Sequence, residues 1–236
     1  MIGILVQLLL SGLLLWWIEK QSLSVLGWQP SQKRLFQFVA GFFLTMILAT
    51  TYHLIHAILT GTDWQKNPAF QFSDLFNGLW WMLRSVVYEE LIFRGALFYI
   101  ALRKLGVTKA LWLSVIAFGI YHWFSFGAWG QPIQMIFIFL ITAAAGWMYS
   151  HAFIKTGSLY SVIGLHFGWN SVGSLVFSQG SIGKYILIPV KDPLFQQNEW
   201  ASFLFMFLYQ FLVPAFITWL WLRKYDGEKY FKKEKS

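Results

Sequence analysis

The sequence predicts an all-α fold: a polytopic integral membrane bundle of about seven transmembrane helices. Three observations predict it. Hydrophobic residues make up 57% of the 236 positions and charged residues only 12%, about half the charge share of an ordinary soluble domain, which is roughly 25%. The mean hydropathy is +0.55. Apolar runs of spanning length, on the order of 17–25 residues, recur along the whole chain. Nothing in the composition marks a second domain, so residues 1–236 are read as one membrane-embedded domain.

The spans follow in order. The first apolar run covers 2–18, with no basic segment before it, which reads as a spanning helix rather than a cleavable signal. Further runs cover 35–59, 76–101, 108–126, 132–153, 158–177 and 201–222. The third and sixth are the least hydrophobic, as suits helices that face the bundle interior. Residues 19–34 carry Trp28 between cations and read as a segment lying at the membrane interface. Residues 178–199 form the longest loop, a connector or a lid.

Charge placement orients the chain. Lys20, Lys33, Arg34, Arg103, Lys104, Lys109, Lys155 and the six basic residues of the tail fall on one side. Only Lys66, Lys184 and Lys191 fall on the other. This bias places the C-terminus in the cytoplasm and, with seven spans, the N-terminus outside. The net charge of +8 is therefore a positive-inside pattern, not a nucleic-acid footprint. Cys is absent, which excludes disulfides, thiolate nucleophiles and cysteine-ligated metals.

Glu89 and Glu90 are adjacent in the third span. A charged side chain at membrane depth is unfavourable by about 2.5–3.5 kcal/mol even on insertion scales, and such residues mark functional sites by default. Glu90 and Arg94 are i and i+4, so they meet on one helix face and pair as a structural unit. Glu89 points about 100° away and is left available for chemistry. Phe118 and His122 repeat the spacing in the fourth span, which stacks a ring on the imidazole. His166 and Asn170 repeat it in the sixth, where Gly164, Gly168 and Gly173 admit a close neighbour.

A carboxylate, two histidines and an amide suit water-mediated peptide hydrolysis. Glu89 acts as general base on water, and His122 orients that water or shares its proton. His166 and Asn170 hold the oxyanion. The same residues allow a zinc site through Glu89, His122 and His166, although no HExxH is present. The plain reading of each is packing. Glu90 and Arg94 can be a helix-fixing ion pair, Asn170 an interhelical hydrogen-bonding residue, and His122 and His166 satisfied core histidines. His53, His56 and His151 read as interfacial packing residues, and Arg84 as a snorkelling one.

Three motifs in order, EExxxR, FxxxH and HxxxN, resemble those of the CPBP intramembrane proteases. That family includes CaaX prenyl-protein endoproteases and bacterial bacteriocin-processing or Abi proteins. The resemblance covers about 75–175, within a motif core of 75–177. It implies an all-helical fold with a site opening into the membrane near the cytosolic side. It also implies a hydrolase described as glutamate-dependent or as a metalloprotease, acting on a membrane-associated peptide or protein. The short chain suits a bacterial plasma membrane. A zinc-dependent version of the same protease, a non-catalytic binding or bacteriocin-immunity protein, and a proton-coupled transporter are the alternative readings. No cofactor is favoured, and the bilayer rather than nucleic acid is the expected partner.

Overall fold

The computed structural model describes residues 2–178, 186–190 and 199–231. Among these, eight α-helices follow in order: α1 (Ile2–Leu14), α2 (Gln32–Thr60), α3 (Phe72–Phe93), α4 (Ala96–Leu105), α5 (Val107–Ser125), α6 (Pro132–Thr156), α7 (Leu159–Ser171) and α8 (Glu199–Leu222). Wider π turns extend α1 over Leu15–Glu19 and α7 over Val172–Val176. By length and composition, five helices can cross a membrane: α1 with its extension, α2, α5, α6 and α8. The protein is an integral membrane helical bundle.

Two expected spans look different in the structure. The span read as 76–101 breaks into α3 and α4 at Arg94–Gly95. A Cβ at Gly95 would lie 2.1 Å from the Leu91 carbonyl oxygen, so only glycine permits this turn. The apolar run 96–102 continues the helical pattern on paper, which hides the break. The sixth span is a 13-residue helix plus its π turn. Ten of those thirteen residues are buried, so α7 is a central helix, as its lower hydrophobicity predicts.

The glycines of α7 explain its position. A Cβ at Gly164 would lie 2.3 Å from the Phe38 carbonyl oxygen, and one at Gly168 2.2 Å from that of Phe42. The α2 and α7 backbones therefore touch where the small residues fall. Thr45 of α2 donates to the Leu165 carbonyl at 2.7 Å, one residue before His166. At Gly173 a Cβ would lie 3.5 Å from His53 Nε2, an ordinary contact.

Outer helices differ from inner ones. Only 11% of the spanning window is buried in α1 and in α8, against 28% in α2, α5 and α6. The main core runs from Leu15 through Val86, Phe118, Phe153 and Leu165 to Phe231. A second cluster of Ala49, Val172 and Phe177 lies at the other end. His53 belongs there. It is 4% exposed and stacks on Phe177 at 4.4 Å, so it is buried rather than interfacial.

Among the described residues, Lys33, Arg34, Lys155 and Lys224 gather at one end of the bundle, while the tail residues Lys232, Lys233 and Lys235 lie outside the described residues. Glu19 forms ion pairs with Arg103 (3.5 Å) and Lys104 (3.2 Å). Ser158 donates to the Gly27 carbonyl at 3.4 Å, and Tyr99 meets Phe231 at 5.8 Å. Within the segment 19–34 the chain forms a 3-10 turn, Leu23–Leu26, whose Leu26 is buried while Trp28 stays exposed. At the opposite end the strands Trp64–Lys66 (β1) and Leu187–Pro189 (β2) pair antiparallel, with Gln65 opposite Ile188. Part of the expected long loop is thus strand. Residues 179–185 and 191–198, with Lys184 and Lys191, lie outside the described residues.

Candidate functional site

The polar node of the bundle is built around the α3–α4 break. Because the helix ends at Arg94, its side chain enters the space between α5 and α6 instead of running along the helix surface. Arg94 and Glu90 are fully buried and pair at 3.1 Å. The guanidinium also donates to the Gly146 carbonyl at 2.9 Å and to Ser150 Oγ at 3.3 Å. Ser150 donates to Ser114 Oγ at 3.0 Å, and Ser114 to the Phe93 carbonyl at 3.1 Å. Every segment of this chain finds a partner, as a buried ion pair requires.

Aromatic rings close the node from the other directions. The guanidinium carbon lies 4.3 Å from the Phe118 ring centre and 5.3 Å from that of Tyr149, within cation–π range. Gly146 makes room for this layer. A Cβ there would lie 3.2 Å from Phe118 and 3.4 Å from the Arg94 guanidinium.

His166 meets both glutamates. Its Nδ1 lies 2.6 Å from Glu90 Oε1, and its Nε2 lies 4.0 Å from Glu89 Oε2. A carboxylate already paired with a guanidinium accepts, so Nδ1 carries the hydrogen and Nε2 faces Glu89. Tyr149 stacks on the imidazole at 4.6 Å with 19° between planes. The ring is therefore fixed by a hydrogen bond at one edge and an aromatic face on one side. Glu90 is more than the partner of Arg94, because the same carboxylate orients His166.

Glu89 lies at the edge of this network. Its side chain is 18% exposed, yet Oε2 is buried and finds no hydrogen-bond partner among the described residues. That contrasts with Glu90, whose oxygens reach Arg94 and His166. The division of the pair expected from helix geometry is present, with one added contact.

His122 joins through Phe118. The rings lie 4.4 Å apart at 58°, a tilted contact rather than a parallel stack. His122 Nδ1 lies 2.7 Å from the Phe118 carbonyl oxygen. A carbonyl only accepts, so Nδ1 is the donor and a neutral ring presents Nε2 as an acceptor. The half-buried Asn170 follows His166 by one turn of α7. Direct contacts thus unite Glu89, Glu90, Arg94 and His166. Phe118 brings His122 to them, and helix register brings Asn170.

Tyr149, Gly146, Ser114 and Ser150 are parts of the node that the motifs do not mark. They lie on α5 and α6 and reach the site only through tertiary packing. The one local signal is the spacing of small residues Ala143, Gly146 and Ser150 along α6. Among the other candidates, His151 stacks on Trp147 at 4.8 Å. The Arg84 guanidinium lies 5.8 Å from the Trp80 ring, a surface contact that suits snorkelling.

The zinc set of Glu89, His122 and His166 does not come together as one ligand shell. No group of three or more His, Asp or Glu side chains arranged to hold a metal ion occurs among the described residues. The 4.0 Å between Glu89 and His166 is a spacing that a bridging water fits.

Residues 71–172 match the family model described as Type II CAAX prenyl endopeptidase Rce1-like. The match contains every motif residue from Glu89 to Asn170. No curated protein and no solved structure matches the chain.

Proposed function

From the chain's membership of the CPBP family of CAAX-type intramembrane endopeptidases, carried by residues 71–172, we propose that it hydrolyses a peptide bond in or beside a substrate's membrane segment. Glu89 is the general base. The observation that carries this assignment is its buried, unpartnered Oε2 facing His166 Nε2 at 4.0 Å. A water between them satisfies both groups.

In the proposed reaction that water attacks the substrate carbonyl carbon while Glu89 takes its proton. His122 Nε2 accepts the water's second hydrogen and so orients a lone pair toward the carbonyl. The oxygen of the tetrahedral intermediate receives hydrogen bonds from the Asn170 amide and from an Nε2–H of His166, a ring that takes up and gives up no proton during the step and whose Nδ1–H rests on Glu90. The C–N bond then breaks, and Glu89 returns its proton to the leaving amine. The proton that Glu89 takes from water thus ends on the leaving amine, and the water's second hydrogen stays with the product carboxyl group.

The whole chain of 236 residues acts as one protease domain in this reading. The basic end of the bundle faces the cytoplasm, the C-terminus with it, because short loops rich in Lys and Arg stay on that side. A bacterial plasma membrane and a membrane-anchored peptide or protein substrate fit the chain's size and site.

The test is comparative proteomics of membrane peptides from cells carrying the wild type or Glu89→Ala. Peptides that change from cut to intact, at equal protein abundance, support the proposal. An identical cleavage pattern in Glu89→Ala cells overturns it. A phenotype that survives loss of Glu89, His122 and His166 but fails on loop changes indicates a binding or immunity protein instead.

A further inference from the structure

A second polar site lies at the basic end of the bundle, away from the glutamates. A cleft of about 440 Å³ opens between the start of α2, α4 and the end of α6, lined by Lys33, Arg34, Gln37, Tyr99, Thr156 and Tyr230 among others. An adjoining lobe of about 340 Å³ shares Lys33, Thr156 and Tyr230, and adds Lys155, Lys224 and the single acidic residue Asp226. Among the described lining residues, four cations therefore face one carboxylate.

Two further features favour an anion. The 29-residue α2 begins here, capped by Ser31, whose hydroxyl accepts from the Arg34 N–H. The positive end of its dipole thus faces the cleft. Gln37, one turn further in, is 1% exposed, and neither its amide nitrogen nor its amide oxygen has a partner among the described residues. A buried amide in this state has room to pair with a group offering both an acceptor and a donor.

We infer that this cleft binds the headgroup of an anionic phospholipid, a phosphate that carries hydroxyl groups. Phosphate oxygens take the Gln37 NH₂ and the cations, and a headgroup hydroxyl donates to the Gln37 carbonyl. The lipid source follows from the surroundings. Leu35, Phe36 and Val39 on the same helix are 57%, 63% and 41% exposed, giving apolar surface along which acyl chains lie. This inference is independent of the protease reading.

The experiment is native mass spectrometry of the full chain in detergent, titrated with phosphatidylglycerol and with phosphatidylcholine of identical chains. One phosphatidylglycerol should bind at least about tenfold tighter than phosphatidylcholine. Each cation near a lipid phosphate contributes about fivefold, so Lys33→Gln with Arg34→Gln should lower phosphatidylglycerol affinity about twenty-five-fold. Gln37→Leu should weaken it severalfold. Deuterium exchange of residues 31–40 reports the same site without substitution and should slow on adding phosphatidylglycerol. Equal affinity for the two lipids, unchanged discrimination in the exposed-cation variant, or unaltered exchange would overturn the inference. Competition by inorganic phosphate at equal concentration would overturn the lipid source.

Discussion

Glu89 and Glu90 share a helix turn and differ in almost everything else. Glu90 is fully buried, paired with Arg94 at 3.1 Å and with His166 at 2.6 Å. Glu89 is partly exposed and has a buried oxygen with no partner among the described residues. One carboxylate is saturated and holds its neighbours; the other is held in place and left with a hydrogen bond to make. The proposed division of the pair into a supporting carboxylate and a base rests on that difference.

The sharpest way to break this comparison is to remove each carboxylate in turn. Glu89→Ala should lower peptide cleavage by about 10²–10⁴-fold, the usual contribution of a general base, with little change in thermal unfolding. Glu90→Ala should destabilise the protein by about 3–5 kcal/mol, because it leaves Arg94 buried without its counter-ion. Detergent-resistant unfolding measured by intrinsic Trp fluorescence reports that loss. If the two substitutions give the same pair of phenotypes, the division between them is wrong.

Smaller effects refine it. Asn170→Ala should reduce cleavage about 10²-fold through turnover rather than substrate affinity, as for a lost oxyanion donor. An effect confined to affinity would place Asn170 in substrate binding. Tyr149→Leu should lose the stacking on His166, about 0.5–1.5 kcal/mol, while Tyr149→Phe keeps both ring and activity. A chelator should leave cleavage unchanged. Inhibition that added zinc reverses would instead assign Glu89, His122 and His166 as ligands.

Much of this was legible in the sequence because it is local. The i, i+4 pairing of Glu90 with Arg94 and of Phe118 with His122 follows from helix geometry alone, and both contacts are present. The close approach at Gly164 and Gly168 was legible for the same reason. The Glu90–His166 bond was not, since 76 positions separate its partners and nothing in either motif indicates which glutamate the ring meets. The break at Gly95 was hidden by the apolar run that follows it. Tyr149 and Gly146 lie in a helix whose hydrophobic pattern reads as ordinary membrane span. The ribbon of Trp64–Lys66 with Leu187–Pro189 was missed because three-residue strands carry no periodicity.

The most direct test measures cleavage and thermal unfolding on the same preparations of wild type, Glu89→Gln and Glu90→Gln. The amide keeps the volume and polarity of each side chain while removing its capacity to take a proton. Glu89→Gln should unfold within about 2 °C of wild type, as a change of under ~0.5 kcal/mol does, and yet cleave at least about 10²-fold more slowly. Wild-type cleavage by a folded Glu89→Gln protein would contradict the assignment of Glu89 as the base.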